Sequence, residues 1–537
     1  MKTELELPAF AMAETADGWT KLSPAGRGRW QGDGIEVEIA SRDKQLEIYI
    51  QPTAKPFLTL KLFWNWDYEY SDRWVLLGDQ WERGFGDLEW RGIAPERTMP
   101  WYFLAHNGRT TLGYGVKTGA NALCYWQANQ EQIVLTADLR CGSEGVVLGQ
   151  RQLHAATIVH FAESLDRTAF SCAQDFCSTM CERPLLPTYP VYGGNNWYYA
   201  YGKSSHEAIL NDSRFIASLV PEEETNRPFM VIDDGWQLTS GDGQAWGGPW
   251  VGNSRFPNMR RLAEEMKGIG VRPGIWFRPL VTAEHVPESW RRYRGPEGHV
   301  LDPSVPEVLS FIGDNVRKMT DWGYELLKHD YSTFDLTGKW GFQMKSQPNA
   351  LPYSFQDRSR TTAEIVTSLY RTIADASGES LVIGCNTIGH LAAGLFEIQR
   401  TGDDTSGKSW ERTRFMGVNT LAFRMPQHGT FFSHDADCVG ITTQVPWELN
   451  GQWLKLLAAS GTPLFVSVDP AIVNEEQKQE LRRAFAVAAK PMPSAEPLDW
   501  LATTSPNRWV LNGKEERFSW HNDSLDVHRY RDAEWWK

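Results

Sequence analysis

The sequence predicts an α/β protein: a (β/α)8 TIM barrel over residues 186–490, preceded by an antiparallel β-sandwich domain over 1–185 and followed by a short β appendage over 491–537. Three observations carry this reading. Up to about residue 185, apolar and polar residues alternate in short runs broken by Gly, Asp and Pro, as in antiparallel sheets with one face on a core. Beyond Pro184 and Pro187 the period changes, and short apolar runs alternate with amphipathic helical stretches, which is how βα units are written. Eight such runs follow one another, which favours a barrel over an open sheet.

In the first domain the strands are expected at Gly34–Ile39, Gln45–Ile50, Phe57–Phe63, Thr111–Val116, Gln132–Ala137 and Ala156–Phe161. Two tryptophan-rich stretches lie between them, Trp64–Trp66 and Asp79–Trp90, either of which can lend a stacking wall to a neighbouring cleft. The barrel opens with a strand at Tyr192–Trp197 and a helix from about Ser204, where Ser204 and Glu207 have capping-box spacing. Strand two is the run that ends in Asp233-Asp234-Gly235-Trp236, and its helix lies near Met259–Lys267. Strand three is Val271–Phe277, with a helix from the first-turn proline Pro306 to Trp322. Strand four is Tyr324–Asp330, with a helix over about Arg360–Asp375. Strands five, six and seven are Leu381–Cys385, Glu397–Arg400 and Thr430–Asp435; a helix near Trp447–Ala459 leads to strand eight, Pro463–Val468, and the last helix covers Glu475–Ala488. In the appendage, Trp509–Gly513 and Phe518–Trp520 read as strand, turn and strand.

Charge and composition narrow the function. Against 54 basic residues stand 67 acidic ones, a formal net charge of −13, which argues against a nucleic-acid or anionic-membrane partner and suits a neutral ligand. Twenty-five tryptophans exceed ordinary packing needs; flat aromatic faces also stack on sugars, and the surplus allows a homo-oligomer. The seven cysteines show no paired metal-finger spacing, and the start has no basic segment followed by an apolar core, so a cytoplasmic protein with reduced thiols is expected. No run is long and apolar enough to span a bilayer.

Carboxylates crowd the C-terminal strand ends: Asp233 and Asp234, Asp330, Asp403 and Asp404, Asp435 and Asp437. Gathering like charges costs energy unless a cation, hydrogen bonds or a ligand compensates, so the cluster points to function. A hydrolytic metal centre would bring paired histidines, whereas His329, His390 and His434 are scattered over different elements; no metal or organic cofactor is expected. Glycoside cleavage instead needs two carboxyls flanking an anomeric carbon. Lys328 lies two residues before Asp330, on the same side of its strand, where its ammonium would keep Asp330 ionised.

The stretches Ile232–Gln237, Arg255–Asn258, Gly270–Phe277, Leu301–Val308 and Lys328-His329-Asp330 resemble successive signatures of the retaining α-galactosidases, glycoside hydrolase family 36 and its sister family 27. The resemblance covers the barrel, and the N-terminal sandwich suits family 36. It implies that Asp330 is the nucleophile, that Asp233 and Asp234 bind sugar hydroxyls, and that Trp236 stands nearby as a wall. The acid/base falls in Arg400-Thr-Gly402-Asp403-Asp404: the small residue before it favours Asp403, and the spacing from Arg400 favours Asp404 as the alternative. Trp197, Trp276, Lys328, Cys385, Arg400 and Asp404 complete the expected substrate-binding set. The family has Trp or Tyr where His329 stands and a glutamate where Arg278 stands, and the loop Cys385–His390 matches it loosely; these departures lie near the expected substrate. The reading is therefore hydrolysis of a terminal α-galactoside-type oligosaccharide with retention. Its alternatives are a transglycosylase, or an enzyme for α-N-acetylgalactosaminides or α-glucosides, and from another class a non-catalytic sugar-binding barrel.

Overall fold

The computed structural model describes residues 5–66, 74–164, 167–238 and 247–521. Among them, the N-terminal part forms two antiparallel sheets. The first has six strands, in the order Gly18–Lys21, Phe10–Thr15, Phe57–Asn65, Gln132–Asp138, Leu123–Ala128 and Met99–Pro100. The second has eight, in the order Ser23–Gly26, Arg29–Gly32, Ile35–Arg42, Gln45–Ile50, Leu153–Ser164, Thr110–Val116, Tyr102–His106 and Val75–Gly78. The period-two burial of Ile35–Arg42 and Gln45–Ile50 shows one face turned to a core. That core is aromatic: Trp126 of the first sheet meets Phe103 and Tyr114 of the second at 5.9 and 6.2 Å between ring centroids.

Within residues 1–185 the structure adds a helix, Ala169–Met180, where only strands were expected. Its signal was present: Thr168 caps it by accepting from the Ser171 N–H, and Ala169, Ala173, Phe176, Cys177 and Met180 recur at helical spacing and are buried.

The barrel strands are Tyr192–Asn195, Phe229–Ile232, Arg272–Phe277, Leu326–His329, Leu381–Gly384, Ile398–Arg400 and Ser433–Asp435, each hydrogen-bonded to the next in parallel. On the other side of Tyr192–Asn195 lies Leu464–Val468, and beyond it Val439–Ile441. The two edges of this nine-stranded sheet, Ser433–Asp435 and Val439–Ile441, are thus separated in the chain only by residues 436–438, where Asp437 takes a left-handed φ of 78°. The seventh strand, expected over Thr430–Asp435, is confined to Ser433–Asp435, Val439–Ile441 is a further strand that was not expected, and the domain is TIM-barrel-like. The strands are buried on both faces, as parallel sheets covered by helices must be.

Helices His206–Ser218, Met259–Ile269, Pro306–Asp321, Thr362–Ser377, Trp447–Ala458 and Glu475–Ala488 fall where the helical period placed them. The first is capped by Ser205, which accepts from the Ala208 N–H, rather than by the expected Ser204. At the C-terminal end the sheet is Glu496–Pro497, Arg508–Leu511 and Lys514–Arg517. The return strand was expected at 518–520, but Asn512 and Gly513, both at positive φ, turn the chain in two residues and start it at Lys514. Phe518 and Trp520 stack on each other instead, 5.0 Å apart. Residues 522–537 of the expected appendage lie outside the described residues. No helix among the described residues is long and apolar enough to cross a membrane. All seven cysteines are free and buried.

Candidate active site

Asp233 ends the second strand and is almost fully buried. Its Oδ2 accepts from Lys328 Nζ at 2.6 Å and from Asn195 Nδ2 at 2.7 Å, and its backbone N–H donates to Asn196 Oδ1 at 2.8 Å. The ends of strands one, two and four are therefore tied through one carboxylate. Burial by itself would lower the Lys328 pKa, but the Asp233 charge outweighs it and holds the ammonium well above its ordinary value. Asp234 faces differently: Gln237 Nε2 donates to it at 2.6 Å, and burial, with the like charges of Asp233 and Asp330, pushes its carboxyl up to about 6. The chain turns at Gly235, where φ is +104° and a Cβ would meet the Gly202 carbonyl at 2.5 Å, so the residue after the acid pair has to be glycine.

Asp330 lies just past the fourth strand and is only 7% exposed. Trp276 Nε1 donates to its Oδ2 at 2.8 Å; Asn386 Nδ2 and the Tyr331 N–H donate to Oδ1 at 2.5 and 2.8 Å. The Tyr331 bond depends on a left-handed φ of 66°, an uncommon conformation for a bulky residue. The Tyr331 ring in turn carries the Arg278 guanidinium at 4.3 Å, itself clamped to Asp335 by two hydrogen bonds of 3.0 and 2.6 Å. Three donors on one carboxylate fix its orientation.

The third group of acids follows strand six. Gly402 precedes it because a Cβ there would meet the Met416 carbonyl at 2.5 Å. Asp403 is paired at both oxygens, Oδ1 to Arg83 at 3.1 Å and Oδ2 to Arg412 at 2.7 Å, and its side chain is 14% exposed. Asp404 is 38% exposed and pairs through Oδ1 alone, with Arg400 at 2.9 Å and Arg83 at 3.3 Å. Burial would raise the Asp404 pKa, yet Arg400, Arg83 and Lys328 together hold it well below the usual carboxylate range. Arg400 reaches further, to Asp437 at 2.8 Å, which also accepts from the Tyr198 hydroxyl.

Arg83 is the residue that joins these groups, and it comes from the N-terminal part. Its loop is sewn to strand six: Gly84 N donates to Thr401 O at 2.7 Å and Asp403 N to Gly84 O at 2.9 Å. Farther along, Asn419, in the π-helical turn Arg414–Asn419, exchanges hydrogen bonds with the backbone of Leu88. Arg83 Nη2 also donates to Asn386 Oδ1 at 2.9 Å, so a continuous path runs from Asp330 through Asn386 and Arg83 to Asp403 and Asp404. The preceding Glu82 is buried, accepts from the Gly341 N–H at 2.9 Å, and is pushed up to about 7 by burial.

Of the residues singled out from the sequence, the structure brings Asp233, Asp234, Lys328, Asp330, Trp276, Arg400, Asp403 and Asp404 into this rim, with the neutral Cys385 thiol 3.9 Å from Arg400 Nη1. Several expectations are corrected. Trp236 is fully buried, donates to the Trp276 carbonyl and packs on Trp250, so it cannot wall a sugar. Lys328 pairs with Asp233 rather than Asp330. His329 points off the opposite side of its strand into a nest of Phe277, Tyr370 and Phe396 and bonds Ser332, away from the acids. Arg278 is spent on Asp335. Trp197 is half-buried against Tyr201, and it is the next residue, Tyr198, that joins the carboxylate network. The stretch 79–90 does reach the site, through Arg83; Trp81 is buried and bonds the Lys345 carbonyl. Asn195, at the end of strand one, and Asn386, within the loosely matching loop Cys385–His390, had been given no role, and Arg412 was missed, a polar residue with no motif of its own. Among the described residues no group of three or more His, Cys, Asp or Glu is arranged to hold a metal ion.

No protein-family model matches the chain, and no curated protein matches it. Solved structures do. The α-galactosidase TtGalA from Thermus thermophilus, in complex with p-nitrophenyl α-D-galactopyranoside, is 17% identical with a TM-score of 0.59, covering 95% of this chain and 99% of that one. A variant of the GH36 α-galactosidase AgaA from Geobacillus stearothermophilus, in complex with raffinose, is 16% identical with a TM-score of 0.60, covering 94% and 79%. An α-galactosidase from Lactobacillus brevis is 12% identical with a TM-score of 0.56, covering 90% and 73%. Along most of its length this chain therefore resembles the GH36 α-galactosidases in fold.

Proposed function

We propose that this protein is a glycoside hydrolase that removes terminal α-linked galactose-type sugars with net retention. In this reading the nine-stranded sheet is a closed (β/α)8 barrel with a further strand after Asp437, and the cleft over the strand ends takes the sugar. The observation that carries the proposal is the bonded path from Asp330 to the Asp403–Asp404 pair, which sets a tightly oriented carboxylate opposite a second one under cationic control. Asp330 attacks the anomeric carbon as the leaving oxygen takes a proton; water then enters under general-base catalysis and releases the sugar. We assign the proton transfer to Asp404, the alternative in the sequence, since its side chain is 38% exposed and its Oδ2 is outside the ion pairs described, whereas both oxygens of Asp403 are engaged by arginines. Asp233, Asp234 and Lys328 then bind sugar hydroxyls from the other side of the rim. The fold shared with GH36 α-galactosidases supports the sugar class.

The test is a panel of aryl α-galactoside, α-glucoside and α-N-acetylgalactosaminide, followed by proton NMR of the first-formed sugar. Release from the galactoside as the α-anomer is expected. No release from any member, or a β-anomer first, overturns the proposal.

A further inference from the structure

One buried ion pair takes no part in the chemistry above, yet its contacts lead back to Asp330. Arg278 follows strand three directly, and its Nε and Nη2 donate to the two carboxylate oxygens of Asp335 at 3.0 and 2.6 Å; the side chains are 2% and 1% exposed. A small antiparallel sheet, Val281–Thr282, Gly298–Leu301 and Arg291–Gly295, backs the pair. The Tyr293 hydroxyl donates from it to the Asp335 carbonyl at 2.9 Å, and Glu297, in its turn, lies 3.6 Å from Arg278 Nη2. The guanidinium also covers the Tyr331 ring, 4.3 Å from its centroid. The Asp335 backbone closes the circuit, its N–H donating to the Tyr331 carbonyl at 3.0 Å. Tyr331 is thus held by ring and backbone at once, at the φ of 66° from which its N–H reaches Asp330 Oδ1. A bulky residue is strained there. With the following helix Ser332–Thr337 in place, relaxing that φ swings the peptide between Asp330 and Tyr331 and takes the N–H off the carboxylate.

We infer that Arg278 and Asp335 are positioning residues: their pair, pressed on Tyr331, keeps that residue in its left-handed conformation and so keeps the nucleophile aimed. This rests on the glycosidase reading above, in which Asp330 is that nucleophile. Neither residue is a donor to Asp330; both act through Tyr331. Of the three donors on the Asp330 carboxylate, Trp276 comes from strand three and Asn386 from the loop after strand five. The Tyr331 N–H alone ties the carboxylate to its own segment of chain. The clamp suits that task. Its two-pronged fork allows one geometry rather than several, and its contact with the ring is made by a cation shielded from water, where such contacts are strongest.

The experiment is a double-mutant cycle on the full-length protein, with kcat and KM measured on the aryl α-glycoside that the wild type turns over and folding followed by thermal melting. Arg278→Met/Asp335→Leu removes both charges together, so that neither is left buried and unpaired. Its kcat should fall on the order of tenfold or more while KM stays within about threefold of wild type. Glycine takes a φ of 66° without strain and keeps the N–H, so Tyr331→Gly should itself stay within about tenfold of wild type. In that background the paired replacement should cost less than about threefold in kcat, because there is no strained conformation left to hold. Equal losses in the two backgrounds, an unchanged kcat in Arg278→Met/Asp335→Leu, or inactivity of Tyr331→Gly refutes the positioning role and leaves the hydrolase reading standing. Should the paired replacement fail to fold, Arg278→Lys, which keeps the charge without the flat fork, takes its place with the same expectations. A wild type inactive on the whole aryl panel overturns both.

Discussion

The charge on Asp404 is the most exposed point of the mechanism, because a general acid must be protonated and this one is surrounded by cations. Replacing Arg83 with Met removes the guanidinium 3.3 Å from Oδ1 while keeping an unbranched apolar stem. Across 3.3 Å two unit charges interact by about 1.3 kcal/mol at the dielectric of water and by about 5 kcal/mol at an effective dielectric of 20. With the Asp404 side chain 38% exposed, solvent screening puts the pair near the lower end, about 1.3–2.5 kcal/mol, or roughly one to two pH units. Loss of a cation raises a carboxyl pKa, and the alkaline limb of kcat/KM reports the acid of the free enzyme. The limb should therefore move to higher pH by that amount, even if the rate at the optimum drops because Asn386 loses its partner. The assay is aryl α-galactoside hydrolysis over a pH series, with circular dichroism to verify folding. Arg412→Met is the internal control: Arg412 pairs with the Asp403 side chain and meets Asp404 only at its backbone carbonyl, so the limb should shift less. An unmoved limb in Arg83→Met, or an equal shift in Arg412→Met, would take the acid role away from Asp404.

Other substitutions probe the remaining parts. Asp330→Gly should abolish hydrolysis, and added azide should restore turnover of an activated aryl substrate; inactivity with azide would leave the nucleophile unassigned. Asp404→Ala should lose activity on alkyl and sugar leaving groups by at least 100-fold yet keep much of it on a dinitrophenyl glycoside, which needs no proton, whereas equal losses on both would contradict general-acid action. Trp276→Phe deletes the indole N–H that meets Asp330 at 2.8 Å, a bond to a charged acceptor of about 1.5–3 kcal/mol, so kcat should fall roughly 10- to 150-fold. A loss confined to thermal stability would make Trp276 a packing residue only. Glu82→Gln tests the buried acid, whose pKa burial lifts from 4.5 to about 7. Folding favours its neutral form, so that stability is complete below about pH 4.5 and is lost as pH rises towards 7. The variant stays neutral, and its stability relative to wild type should climb by up to about 3 kcal/mol across that window; melting curves that run parallel from pH 4.5 to 7 would exclude this.

Strands and helices were legible where a single period ran undisturbed. The helix Glu475–Ala488 has the bounds its pattern suggested, and the barrel strands moved by only a residue or two at most ends. Sequence was silent where one backbone angle decides, as at Asp437, whose left-handed turn follows the expected end of strand seven and leads into the unexpected short strand Val439–Ile441. Some signals were there to be used. Alternation along strand four puts His329 opposite Lys328 and Asp330, so its nest of Phe277, Tyr370 and Phe396 follows from period two alone.

Arg83 had no comparable signal. It lies more than three hundred positions from the acids it serves, in a segment whose tryptophans drew attention, and only the pairing of Gly84 with Gly402 brings it there. The choice between Asp403 and Asp404 was left open by the sequence for a related reason. Both follow a glycine with no room for a side chain, at the point where the strand has ended and alternation no longer says which way a side chain points. What separates them is the company each finds. Arg400 is four positions before Asp404 and meets it at 2.9 Å, leaving its carboxylate partly in the cleft, while Arg412 and Arg83 close over Asp403 from two sides. A carboxylate with both oxygens held by arginines is built to stay put; one held through a single oxygen can turn the other towards a substrate. In the mechanism we propose, the division of roles at this rim thus rests on three arginines on three separate segments, one of them lent by the N-terminal part.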